Sequence, residues 1–528
     1  MLSPSLVWRP LTLACLLALL LGQPLSVARA ASTTAAATAS AASDRYAGVQ
    51  PSLRSAIAAR TKATLSRYTM DVTLDPAAST IGGDAQVVYR NDAPVALGEV
   101  WFRLFPNADY YGDGGTDVRD MTVDGAPATP ALGVAGTALR VPLPQPVAPD
   151  GSVTIAFRFT TTVPADSHGS FGIFSHDTAT GTWVLADWHP VLAVYQQDGG
   201  WSLPAPTPAG DPTFAASALY DVTIHAPNGL RVVAPGAETD LPGGDGIAVH
   251  RFVAGPAREF TVVADDDYAS ASRDAGGVTI AVWTQPAVDA AVRQQTLDVA
   301  ARALGLYDQR FGAYPFTRLD IVDVRLDQAL GISWTGLIFL DGAGMFAQMA
   351  KSNPVGFATV LSHEVSHLWW GATVGADSNA HAYLNEGLAT ISSLFYQEQT
   401  AGVDVARQQL NAWVIGPARS LLHSGDAVVD LPETANENED IRAWAVYGKA
   451  SVGFLAIRNA IGDAAFWAGL HDYATRFQFG IPGPNDLRAA WERASGKNLD
   501  ALWSQWFDQT DLTQQQIDAV VAAFAPGG

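Results

Sequence analysis

Cysteine is almost absent from this sequence: Cys15 is the only one in 528 residues. No disulfide can staple the chain, and no thiol is left as nucleophile or metal ligand once the segment around Cys15 is removed. A metal would have to be held by histidine, carboxylate and water. Basic residues are also scarce, 31 Lys and Arg against 52 Asp and Glu, for a formal charge of −21. So acidic a body is repelled by nucleic acid and by anionic membrane surfaces, and neither is expected as a partner. Also lacking near the start is an apolar run of membrane-spanning length: Leu11 to Leu21 is too short for a comfortable crossing.

That short run has the setting of an export signal. Arg9 precedes it, and Ala28-Arg29-Ala30 places small residues around a cleavage point. The order reads as a secretory signal peptide over residues 1–30, destined for a periplasm or the extracellular space. Its alternatives are a retained signal anchor and lipid attachment at Cys15, the latter disfavoured by the apolar residues that follow the cysteine. After cleavage no stable membrane insertion is expected. Residues 31–44, rich in Ala, Ser and Thr, read as a flexible leader.

With 48% of its residues apolar, the remainder is globular and long enough for at least two domains. Tyr68, Met70, Val72 and Leu74 share one face of a strand pattern. Ala85, Val87 and Tyr89 alternate after a turn, and similar runs recur at Val153–Phe159, Tyr220–Ile224 and Val278–Val282. Short alternating segments between Gly, Pro, Asp and Asn predict an antiparallel β domain over 45–275. The pattern then changes. Val292, Leu297, Ala300 and Leu304 recur at helical spacing, Leu319 to Val324 form a strand pattern, and nearly everything beyond Asn353 is helical. A mainly helical α+β domain is expected over 276–528.

One helix is predicted from Asn353 to Gly371, with Asn353 as cap, Pro354 in the first turn and Gly371 at the stop. Inside it lies His363-Glu364-Val365-Ser366-His367. Histidines four apart share a helix face, so two imidazoles can reach one cation. Glu364 is rotated away from them and can touch a water there without becoming a ligand. A catalytic zinc site needs a third protein ligand. Glu386 supplies it, nineteen residues after His367 and at the head of a second apparent helix, with a turn at Gly375 to Asn379 that lets the chain reverse. Val360, Leu361, Val365 and Leu368 are expected to pack the first helix into the core. The expected cofactor is one Zn2+ per chain.

The motif, eighteen intervening residues and then Glu386 within Asn385-Glu386-Gly387-Leu388-Ala389 resemble the M1 family of zinc metallopeptidases, the gluzincin aminopeptidases. Trp369 and Gly371, Tyr314-Pro315 with Leu319 to Val322, and the opening strands with Asn91 and Leu104-Phe105-Pro106-Asn107 extend the likeness. Tyr447-Gly448-Lys449-Ala450 resembles the family's Tyr-x-Lys-Gly motif, with alanine in the last place. The resemblance implies a saddle-like antiparallel β domain before a thermolysin-like catalytic domain, in a short two-domain form with an open cleft. It also implies hydrolysis of peptide or protein substrates. Glu364 would act as general base and acid and Tyr447 as a phenol donor to the oxyanion.

One stretch departs from the family. Its aminopeptidases carry a Gly-x-Met-Glu-Asn strand whose glutamate holds the substrate's free amino group. Here the substrate strand reads Gly331-Ile332-Ser333-Trp334-Thr335-Gly336-Leu337, with Ser333 in the glutamate's place. A hydroxyl cannot make the charge-assisted bonds with which a carboxylate holds an ammonium group. Asp323 and Asp327 are the candidates to compensate. The rival readings are a zinc endopeptidase or amide hydrolase of altered specificity, and a catalytically silent peptide-binding homologue. The segment from Asp187 to Tyr195, with Gly199, Gly200 and Trp201, is expected to be core and turn in preference to cleft. His189, His381, His423 and His471 lack metal-like spacing.

Overall fold

Alternation at Tyr68, Met70, Val72 and Leu74 becomes the buried face of the strand Ser66–Asp75, each side chain 2% exposed or less. The computed structural model describes residues 44–524 apart from 197–198, 209–212, 343–344, 431 and 433–437, so the signal-peptide and leader readings lie outside the described residues.

Ser66–Asp75 is central to an eight-stranded sheet. Thr80–Arg90, Ser152–Thr162, Gly115–Val123 and Ala126–Pro127 follow on one side, and Ala218–Pro227, Ile247–Ala257 and Ala237–Gly244 on the other. The pairing is antiparallel except between Ser66–Asp75 and Ala218–Pro227, which run parallel. Two four-stranded sheets pack with it around a second core that includes Phe102, Phe157, Trp188 and Tyr220. The N-terminal half is thus β-rich, as expected, with one parallel pair inside an otherwise antiparallel sheet.

The second half is mainly helical. It includes a five-stranded mixed sheet in the order Ala269–Ala275, Val278–Thr284, Arg318–Val324, Leu337–Asp341, Gly331–Trp334. The last of these is antiparallel to its neighbour and forms the sheet edge. Val292, Leu297, Ala300 and Leu304 face inward along the helix Ala290–Phe311, which packs on that sheet. Tyr46, Val49 and Ile57, which precede the first strand, belong to this helical core. No helix among the described residues is long and apolar enough to cross a membrane.

Candidate active site

Asn353 caps the motif helix, Pro354–Ser366, by accepting the Gly356 N–H at 3.0 Å, and Pro354 fills the first turn. Leu361, Val365 and Leu368 are fully buried, whereas Val360 lines the cleft and does not pack into the core. The helix stops at Ser366, short of the predicted Gly371. Bonds from His367 N–H to the Glu364 carbonyl (3.2 Å) and from Trp369 N–H to Ser366 (2.9 Å) tighten the last turn to i→i+3 spacing. His367 keeps helical angles (φ −61°, ψ −17°), so its ring stays beside that of His363. Gly371, at φ +116°, then turns the chain back.

The second helix, Glu386–Thr400, begins on Glu386 itself. Tyr307, completely buried on Ala290–Phe311, fixes it against the motif helix: its hydroxyl lies 3.0 Å from both the Ser362 and Ser392 carbonyls. Trp370 Nε1 adds a bond of 3.0 Å to Ser392 Oγ.

Three side chains meet between these helices. His363 Nε2 is 3.2 Å from Glu386 Oε2, His367 Nε2 is 3.5 Å from the same oxygen, and the two Nε2 atoms are 3.1 Å apart. Ligand bonds of about 2.0–2.1 Å at tetrahedral angles put neighbouring ligand atoms about 3.3 Å apart, so the trio fits zinc. The tautomer fits as well. His367 Nδ1 lies 2.7 Å from Asn385 Oδ1 and 3.0 Å from the Trp370 carbonyl. Both partners only accept, so Nδ1 carries the hydrogen and Nε2 can turn its lone pair to a metal. Burial alone would lift the Glu386 pKa, but the imidazoles outweigh it and hold that carboxyl well below the ordinary range. Burial would conversely lower His367, and the Glu386 charge instead raises it to about 10. The Glu386 carboxylate and the imidazoles thus draw positive charge to the point between them, a charge that a divalent cation would supply in place of the His367 proton.

Glu364 lies next to the trio, 6% exposed. Burial pushes its pKa up, against the pull of both histidines and of Ser333. Ser333 Oγ is 2.8 Å from Glu364 Oε2 and 2.9 Å from the Glu364 carbonyl, so the hydroxyl donates into the motif helix. Gly331 comes so close that a Cβ there would sit 2.7 Å from Glu364 Cδ, which only glycine avoids. Ile332 lines the same cleft.

Tyr447 approaches from the opposite side, its ring 6.2 Å from that of His363 and its hydroxyl close enough to Glu386 for that carboxylate to act on it. Burial, then the Glu386 charge, raises its pKa well above the ordinary value, so the phenol keeps its proton to donate. It sits on a π turn, Trp444–Lys449. Lys449, fully buried, anchors that turn through bonds to Asp426 Oδ1 and Oδ2 (2.9 Å each), the Ala427 carbonyl (2.8 Å) and the Gln509 carbonyl (2.7 Å).

The resulting cleft is about 470 Å³ and is walled by the strand Gly331–Trp334, the two ligand helices and the π turn. Neither Asp323 nor Asp327 lines it. Asp323 is buried and accepts from the Gln285 N–H at 3.1 Å, and Asp327 pairs with His168. His189 is a core residue, 2% exposed among Tyr68, Trp188 and Tyr220. Sequence reasoning missed Tyr307 and the orienting role of Asn385. The second had a signal, since Asn385 directly precedes Glu386; a core tyrosine 55 residues before Ser362 and 85 before Ser392 had none.

Residues 295–506 match the family model of the peptidase family M1 domain. The puromycin-sensitive aminopeptidase of Caenorhabditis elegans is 25% identical over 312 residues, which are 55% of this chain and 32% of that protein. Aminopeptidase N of Lactobacillus delbrueckii subsp. lactis is 26% identical over 252 residues, 44% of this chain and 28% of its own. The chain thus spans about a third or less of the length of these relatives. Among solved structures, an M1 zinc metallopeptidase of Deinococcus radiodurans superposes with TM-score 0.62 at 17% identity, over 85% of this chain and 94% of that one. A mutant of that enzyme bound to a Tyr-Ser-Ala substrate gives 0.61 at 17% identity, over 85% and 95%. The β-rich half followed by a helical half is the two-domain arrangement of those structures.

Proposed function

We propose that this chain, whose residues 295–506 match the model of the peptidase family M1 domain, is an M1 zinc metallopeptidase that hydrolyses peptide bonds as an exported, aminopeptidase-like enzyme. The observation that carries this reading is the meeting of His363, His367 and Glu386 within 3.5 Å of one another, with Glu364 beside them. Those three residues would hold the zinc, which when bound supplies a Lewis acid for the peptide carbonyl and lowers the pKa of water.

The remaining work belongs to the protein. Glu364 accepts a proton from the attacking water and returns it to the leaving nitrogen. Ser333 holds the Glu364 carboxylate by its hydrogen bond, and Gly331 leaves the space it occupies. Tyr447, kept neutral, donates to the oxygen on which charge develops. Asn385 and the Trp370 carbonyl fix the His367 ring, and Tyr307 fixes the spacing of the helices. The edge strand Gly331–Trp334 offers its backbone to an extended peptide. Export through residues 1–30 to a periplasm or the extracellular space is part of the proposal, supported by the charge, apolar run and small-residue order of that segment.

Incubating the purified, zinc-loaded chain with a mixed peptide library and weighing the products tests this. Removal of single residues from the amino end, abolished by a chelator, is the expected result. Internal cuts would assign an endopeptidase. A zinc-loaded chain that cuts nothing would leave the silent homologue.

A further inference from the structure

With Ser333 turned toward Glu364 and both strand-side aspartates occupied elsewhere, the site described above has no carboxylate facing a substrate's amino end from that strand. A second cavity lies directly behind it. This chamber, about 40 Å³, shares Ser333, Trp334, His367 and Asn385 with the main cleft, and Glu259 is in its wall. The common residues make it a side recess of the active site, bounded by one of the metal-ligand candidates. By the measure in which one water needs about 10–15 Å³, it has room for about three water-sized groups, enough for an ammonium group and the carbon that bears it.

Its wall carries one carboxylate, Glu259, and one guanidinium, Arg258. Glu259 is only half-buried although it lies in the interior. One of its oxygens accepts from Thr335, from the hydroxyl at 3.0 Å and the N–H at 3.3 Å. Among the described residues no cation makes a direct ion pair with it; Arg258, also in the chamber wall, acts on it through its field alone. Arg258, the adjacent cation, spends Nε on the Gly371 carbonyl (2.7 Å), one terminal nitrogen on Ala215 (3.0 Å) and the other on Gly480 (2.7 Å). Nearby Asp187, 6% exposed, bonds the chamber residue Thr213 through Oδ2 at 2.6 Å and leaves Oδ1 without a partner. Burial raises the Glu259 pKa against the pull of Arg258, so its charge is only partly offset, and a cationic group entering the chamber would favour the ionised carboxylate.

We infer that this chamber receives the free α-ammonium group of a peptide substrate, with Glu259 as the carboxylate that holds it in place of the residue missing at Ser333. The inference rests on the peptidase reading above and deepens it. Glu259 is a specificity-determining residue: it binds the end of the substrate and takes no part in proton transfer at the scissile bond. A charge-assisted bond of this kind separates a free amine from an acylated one by about 10- to 100-fold.

The test compares kcat/KM for an alanyl anilide and its N-acetyl counterpart in the wild-type chain, in Glu259→Gln and in Glu259→Asp. Zinc content and thermal melting are recorded for each. The wild type should prefer the free amine by about 10-fold or more. Glu259→Gln should bring the ratio to within about threefold of unity at full zinc content, and Glu259→Asp, which keeps the charge, should lie between. If Glu259→Gln does not fold, the decision falls to Glu259→Asp, where an unchanged ratio overturns the assignment. An unchanged ratio in Glu259→Gln overturns it too, as does a wild type that cleaves peptides without preferring the free amine. A zinc-loaded wild type that cleaves neither anilides nor peptides defeats the peptidase reading itself, and the subsite with it.

Discussion

The cleft has a helical wall and a strand wall, and the two hold their polar groups differently. On the helical wall, His363, His367 and Glu386 are set by their spacing along two helices, and Tyr307 and Asn385 lock them from behind. On the strand wall, Ser333 and Gly331 derive their roles from what they touch, one donating to Glu364 and the other making way for it. Chemistry carried by regular spacing tolerates little change, whereas a strand position can lose one function and serve another. The contrast predicts steep losses from substitutions on the helical side and shallow ones from the strand.

The largest loss should come from Glu364→Gln, which removes the proton acceptor while leaving the three ligand candidates. Turnover should fall by about 10²–10⁴-fold with zinc content unchanged, measured by peptide assay and metal analysis on the same sample. Next is Lys449→Met, which leaves the Asp426 carboxylate buried without its cation. Denaturant unfolding should register a loss of about 3–5 kcal/mol. Tyr447→Phe should cost about 10²–10³-fold in kcat with stability little changed, since only the hydroxyl is removed. Ser333→Ala should be mildest, about 3- to 10-fold in kcat/KM, for one hydrogen bond to a carboxylate. A strand substitution as damaging as Glu364→Gln would erase the distinction between the walls.

The same contrast explains what the sequence made legible. A period of two and a period of 3.6 were enough to separate the β-rich half from the helical one, because burial on one face imposes them. The meeting of His363, His367 and Glu386 was legible because helical geometry turns a four-residue interval into a shared face. The helix end at Ser366 was not, since i→i+3 tightening depends on how Trp369 and Trp370 pack and not on a breaker residue. Val360 reads as core by hydropathy yet lines the cleft, because a cleft floor is apolar too. Asp323 and Asp327 sat near Ser333 in the chain, but register and loop direction point them elsewhere. Glu259 is more than seventy residues from Ser333 along the sequence, and only the packing of the two halves brings it to the chamber.

X-ray absorption at the zinc edge on the purified full chain tests the central claim most directly. The expected spectrum is that of one zinc per chain with two imidazole nitrogens and carboxylate or water oxygens at about 2.0–2.1 Å. Glu386→Ala should lose the tightly held metal. Stoichiometric zinc whose imidazole signature survives His363→Ala and His367→Ala together, or a well-folded chain that takes up no zinc, would contradict it.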